Sequence, residues 1–156
     1  MGTAHLGDPT AGLAEGDLTV AYNDAAGRAH CPVSIAGNLG GLTLRPGLYK
    51  STSSLAISSG DLHLDAGGNP NAIFIFQMAS TLTTTVGRQV ILQGGARSSN
   101  VFWQIGSSAT LGTGSVFRGT IMAYQAITLN TGATPDGRAL ARVAAVALDD
   151  NSVTRP

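Results

Sequence analysis

Five short stretches of this chain place an aliphatic residue ahead of small or polar ones: Ile57-Ser58-Ser59-Gly60, Leu82-Thr83-Thr84-Thr85, Leu111-Gly112-Thr113-Gly114, Leu129-Asn130-Thr131-Gly132 and Leu148-Asp149-Asp150-Asn151. The steps from Ile57 to Leu82 and from Leu82 to Leu111 are long and unequal; those from Leu111 to Leu129 and from Leu129 to Leu148 are shorter and nearly the same. Self-similarity on this scale is the mark of stacked repeats, each burying its apolar side only against its neighbours. A sandwich also has many short strands, but it has no reason to keep Leu, Thr and Gly in register. The two shorter steps suit one coil of a β-solenoid, and the longer two suit coils with inserted loops. The pattern predicts Leu82, Leu111 and Leu129 in an inward ladder. Strand side chains alternate with period two, so Thr81, Thr110 and Thr128 are expected in one outward file. Thr84, Thr113 and Thr131 are expected in a second file, at a corner where glycines such as Gly114 and Gly132 permit a tight turn. Threonine is β-branched and a good strand former, so these files are also ordinary solenoid surface.

Only the N-terminal part reads as helix, over about residues 9–26. Asp8 offers an N-cap and Pro9 a first helical residue. Leu18, Ala21, Tyr22 and Ala25 form one apolar stripe, and Gly27 stops the run. Gly12 and Gly16 weaken the helix by up to about 1 kcal/mol each, so it needs a surface to lie against. From Cys31 onward the text breaks into short β-rich pieces: "LHLDA", "AIFIFQM", "RQVILQ", "VFWQI", "GTIMAY" and "AITLN". "GNLGGLTLRPG" is a glycine-rich turn ahead of a strand. The β-coils are expected over about residues 33–154, and residues 1–156 read as a single domain.

Charge is scarce. Charged residues make up 12% of the chain, about half the usual ~25%. Nine acids balance nine bases, which disfavours nucleic acid, since neutralising phosphates needs surplus Lys and Arg. Aromatics at 5% offer few platforms for base stacking. The apolar runs "AIFIF" and "VAAVAL" are far below the ~20 residues that span a bilayer, so no membrane partner is expected. No signal peptide is visible after Met1.

No catalytic constellation emerges. No Asp or Glu occurs between Ala66 and Pro135. A carboxylate pair for glycoside hydrolysis must come from Asp61, Asp65, Asp136, Asp149 or Asp150, the last two reading as solvated turn residues. A β-helix polysaccharide-processing enzyme using Asp61 or Asp65 is thus a remote third reading. His5, His30 and His63 lack metal-ligand spacing, so neither metal nor cofactor is expected. His63, between Leu62 and Leu64, is expected to face outward. Cys31 has no nearby base and reads as an inert thiol, unable to form an internal disulfide.

The stretch "GDLHLDAGGNPNAIFIFQMASTLTT" resembles the central signature of the microbial ice-binding (antifreeze) protein family. "NVFWQIGSSATLGTGSVFRGTIMAYQAITLNTGATPDGRALARVAAVALDD" resembles the remainder, and "GGLTLRPGLYK" and "AYNDAAGR" also match, so the resemblance covers nearly the whole chain. It implies a right-handed β-helix of triangular cross-section, with one long α-helix packed alongside. It further implies an ice crystal surface as the partner, no catalysis, and a secreted or cell-surface protein. Related proteins often carry Thr-Ala/Gly-any-Thr/Asn on the ice face. Thr131-Gly132-Ala133-Thr134 matches fully, Thr113-Gly114-Ser115 matches in three positions, and Thr84 in one, while Asp150 puts an acid in the same file. The expected site is therefore Thr81, Thr84, Thr110, Thr113, Gly114, Ser115, Thr128, Thr131, Gly132 and Thr134, with weak to moderate activity. The alternative is a non-catalytic adhesion or structural β-helix module that keeps the scaffold without binding ice.

The resemblance also brings two departures. Relatives carry coils before the helix, whereas this chain starts almost at it. An uncovered β-helix end is expected, leading either to a homo-oligomer through that end or to a lid made of Met1 to Gly7. Some relatives have a second cysteine near the position of Lys50, and a bridge to Cys31 is impossible here.

Overall fold

The computed structural model describes residues 9–153. The proposed cap Asp8 and the proposed lid Met1 to Gly7 lie outside them. Among the described residues one α-helix, α1 (Pro9–Gly27), precedes fifteen short strands, all paired in parallel. The strands fall into three sheets. A helix-side sheet holds β1 (Val33–Ser34), β4 (Gly47–Ser51), β7 (Phe74–Met78), β10 (Val101–Ile105), β12 (Val116–Ala123) and β14 (Thr134–Ala141), in that order. An open sheet holds β2 (Gly37–Asn38), β5 (Leu55–Ile57), β8 (Leu82–Thr84), β11 (Ala109–Leu111), β13 (Ile127–Leu129) and β15 (Val146–Leu148). A third, short sheet holds β3 (Thr43–Leu44), β6 (Leu62–Asp65) and β9 (Val90–Gln93). Each sheet is ordered by chain position: the first three turns of the chain lay down one strand on every face, and the later turns one strand on each of the two longer faces. This is a three-faced β-helix, mainly β with a single α-helix alongside.

The register corrects the sequence alignment at one place. Leu82 pairs with Leu55 and Ala109, not with Ile57 and Leu111; Thr84 holds that second position. The coils from Ile57 to Thr84 and from Thr84 to Leu111 are therefore equal in length. Strand parity explains the miss: a slip by two positions keeps every side chain on its own side, so hydrophobicity alone cannot detect it. The structure resolves the ambiguity with a hydrogen bond. Thr84 is buried, and its hydroxyl accepts the Gly112 N–H at 2.9 Å.

The core is a column of stacked rows inside the coil. In-register pairing sets Tyr49 on Phe76 and Phe76 on Trp103, with ring centroids 5.2 and 4.0 Å apart. The buried indole donates its N–H to the Arg118 carbonyl at 3.0 Å. In the later coils the third face shortens, and the long strands β12 and β14 carry the chain round that corner themselves. Gly119 and Gly137 make this bend, with φ of +112° and +150°. A Cβ on Gly137 would lie 2.1 Å from the Gly119 carbonyl oxygen, so only glycine lets these two coils close on each other.

The helix lies on the outer side of the helix-side sheet. Tyr22 and Ala25 are buried there with Met122, and Leu18 packs beside them. Ala21, expected in the same stripe, is exposed. Polar side chains fix the contact: Tyr22 donates to the Ile105 carbonyl at 3.2 Å and accepts from the Gln104 amide at 2.8 Å. One coil away, the Gln77 amide donates to the Ala25 carbonyl, to Ala26 at 3.2 Å and to Arg28 at 2.9 Å. These are carbonyls at the end of α1 that helical geometry leaves without partners.

Candidate binding face

Asp61, Asp65, Asp136 and His63 are each held by neighbouring groups. Asp61 pairs with Arg88 at 3.5 Å and accepts the Gln89 N–H at 2.9 Å. Asp65 accepts the Gly67 N–H at 2.8 Å, and Asp136 pairs with Arg118. Each carboxylate is thus engaged by a neighbour rather than set against a second carboxylate as glycoside hydrolysis requires. His63 faces outward and meets the Gln93 amide at 3.0 Å. Among the described residues no three His, Cys, Asp or Glu side chains gather to hold a metal ion. Cys31 is exposed.

The open sheet is the face with a regular chemical texture. Its middle positions stack as Asn38, Ala56, Thr83, Thr110, Thr128 and Ala147. From β5 to β13 the flanking positions point inward and are sealed: Leu82, Ala109, Ile127, Ile57, Leu111 and Leu129 are all fully buried, while Val146 and Leu148 of β15 are exposed. No charged residue stands in any of the six strands. Coils about 4.7–4.9 Å apart repeat the small outward side chains at that spacing. Two positions past Leu111 and Leu129 the chain turns, and a second file forms. The Gly114 N–H donates to the Thr131 carbonyl at 3.0 Å and the Gly87 N–H to the Thr113 carbonyl at 2.9 Å, so Thr113 and Thr131 stack with Val86 before them. Thr113, Gly114, Thr131 and Gly132 are exposed along this corner.

Four of the residues expected on this face stand elsewhere. Thr81 is not in the file of Thr110 and Thr128; Thr83 holds that place, and the Thr81 hydroxyl bonds Ser54 Oγ at 2.9 Å along the opposite corner. Thr84 points into the core, as the register requires, and Val86 takes its corner position. Ser115 is fully buried with no partner for its hydroxyl, because Gly114 turns the chain inward just before it. Thr134 opens β14 beyond the corner, stacked beside Val116, with its N–H on the Ser115 carbonyl at 2.8 Å. Sequence reasoning missed Thr83, Ala56 and Asn38. Coils of equal length were the signal that brings Thr83 into line.

The corner file is chemically uneven. Val86 is 70% exposed and apolar. The Thr131 hydroxyl donates to the Asp149 carboxylate, and Asp150 follows Thr131 in the stack, its carbonyl taking the Gly132 N–H at 3.3 Å.

The sequence profile of the ice-binding-like family matches residues 1–154. An ice-binding protein of Nostoc sp. (strain HG1) is 47% identical over 154 residues, covering 98% of this chain and 56% of the relative. The chain thus spans little more than half the length of such curated relatives. Among solved structures, an ice-binding protein from an Antarctic biological consortium superimposes with a TM-score of 0.94 at 58% identity, over 97% of this chain and 68% of the other. One from the Antarctic ascomycete Antarctomyces psychrotrophicus gives 0.91 at 38% identity, over 99% and 75%.

Proposed function

The chain belongs to the ice-binding-like family, and from that premise we propose that it adsorbs to ice through the open sheet, slowing ice growth or recrystallisation without catalysing a reaction. The observation that carries this reading is the uncharged outward file Ala56, Thr83, Thr110, Thr128 and Ala147 on an in-register parallel ladder. Ice offers a repeating array of water oxygens and no charge to pair with. A file of hydroxyls and methyls, repeated at one strand spacing, holds water in rows, and many weak contacts then act together. A sheet already ordered by folding loses little further freedom on binding, which leaves more of each contact as affinity. Ionised side chains would instead orient water about themselves.

The corner residues Thr113, Gly114, Thr131 and Gly132 widen this face. Val86, the hydroxyl of Thr131 tied to Asp149, and the charge of Asp150 interrupt it, which supports weak to moderate activity. We read residues 1–156 as one ice-binding domain, with no nucleic acid or membrane partner. This function is useful where ice forms, outside the cell or at its surface. No helix among the described residues is long and apolar enough to cross a membrane.

The test is to image fluorescently labelled protein on a single ice crystal and to measure recrystallisation inhibition. Thr110→Tyr and Thr128→Tyr are expected to lower inhibition several-fold with an unchanged melting temperature. Gln93→Tyr, on the short sheet, is the control and should leave inhibition intact. Full activity in both threonine variants would show the open sheet to be the wrong face. Labelled protein that binds cell-wall glycans but leaves ice growth unaltered would favour an adhesion module.

A further inference from the structure

Side chains alternate along a strand, so the residues on either side of the buried Leu82 both face away from the core. The file of Thr83, Thr110 and Thr128 therefore has a neighbouring row, two residues earlier in the chain. Leu55 pairs with Leu82, and Leu82 with Ala109, which stacks Ser54, Thr81 and Ser108 in that row. Ala126 continues it one coil later, beside Ser108. All four are half-buried, and none is charged or longer than a threonine. The hydroxyls of this row have set directions. The Thr81 hydroxyl donates to Ser54 Oγ at 2.9 Å, and the Thr81 N–H reaches the same oxygen at 3.3 Å, which turns the Ser54 proton away from both. Ser108 Oγ accepts the Ala126 N–H at 3.4 Å and donates to Gln125 Oε1 at 3.5 Å. The two rows are offset by one coil: hydroxyls stand beside β8, β11 and β13 in the central file, and beside β5, β8 and β11 in this one.

We propose that Ser54, Thr81 and Ser108 supply the second direction of the ice-reading array and decide which planes of the crystal the protein adsorbs to. This rests on the reading of the open sheet as an ice-binding face. A single file carries one repeat, about 4.7–4.9 Å from coil to coil. Any crystal plane containing a matching row of waters satisfies it, whatever lies to either side. A second row, two residues away along the strand, adds a spacing of about 6.4–6.8 Å across the first. Waters must then match in two directions at once, and far fewer planes offer that. Hydroxyls of fixed direction suit the role, because an oriented group left unpaired counts against the wrong plane.

Labelled protein frozen into a hemisphere of single-crystal ice, read together with recrystallisation inhibition, tests this. The parent chain should mark a narrow set of planes. Thr81→Val combined with Ser108→Ala should mark additional planes and inhibit several-fold less. Thr81→Ser keeps the hydroxyl and should keep the parent's planes. Thr128→Tyr, in the central file, should weaken adsorption on every plane alike. The corner hydroxyls also hold backbone N–H groups, so Ala126→Thr makes the opposite change without removing any of them. It lengthens the second row by one coil and should raise inhibition on the same planes. Unchanged planes in the folded Thr81→Val, Ser108→Ala variant overturn the proposal while leaving the open sheet as the ice face. Should that variant not fold, the absence of any gain from Ala126→Thr overturns it instead. A parent chain that marks no plane at all overturns the reading of the face, and this row with it.

Discussion

The open sheet and the helix-side sheet are wound from the same coils at the same spacing, yet their outer surfaces carry opposite kinds of residue. On the helix side the outward row runs Lys50, Gln77, Gln104, Met122 and Leu140. All are long side chains, and Gln77, Gln104, Met122 and Leu140 reach out and engage α1. On the open side the corresponding row is Ala56, Thr83, Thr110, Thr128 and Ala147, none of them longer than a threonine. A parallel ladder supplies rigidity to both faces; the length of the outward side chains decides which one a helix covers and which stays flat. Long amides find the orphan carbonyls of a helix end, while short hydroxyls have nothing to grip.

The contrast can be broken from either side, beginning with the largest effect. Leu111→Ala empties the core directly beneath the open sheet and should cost about 2–5 kcal/mol by calorimetry. Ice activity should fall with it, because the sheet above loses its support. Gln77→Ala removes the amide that closes α1 and should cost about 1–3 kcal/mol, seen as faster amide exchange toward the C-terminal end of that helix. Recrystallisation inhibition should survive that change, since the helix lies on another face; its loss would tie the two faces together. Thr84→Val leaves the Gly112 N–H buried without an acceptor, for a cost of about 1–2 kcal/mol. An unchanged melting temperature there would mean the hydroxyl is not what sets the register. The smallest effect belongs to Ser115→Ala. Its hydroxyl is buried without a partner, so the variant should melt at the same temperature as the parent or slightly higher.

The solenoid, the lone helix and the inward facing of Leu82, Leu111 and Leu129 were legible in the residues themselves, whereas Thr84, expected outward, is buried. Repeats carry their own period, and alternation tells inside from outside along a strand whose ends are known. These properties depend on near neighbours in the chain. His63 between Leu62 and Leu64 was read as outward on that ground, and it is. The family membership of the chain was legible too, in long matched stretches rather than in any single motif.

Register and partnership belonged to the tertiary structure. Whether Leu82 or Thr84 stacks on Leu111 depends on how a whole turn of loop and strand closes a coil, and both choices satisfy the same alternation. A single hydrogen bond from Gly112 separates them, and with it the outward file changes from Thr81 to Thr83. Ser115 and Thr134 left the face for a related reason: a corner glycine redirects the chain, burying Ser115 just after Gly114 and carrying Thr134 past the corner into β14. That direction is fixed by the coils packed above and below, each a full turn of the solenoid away in sequence, a distance over which local propensity has no influence.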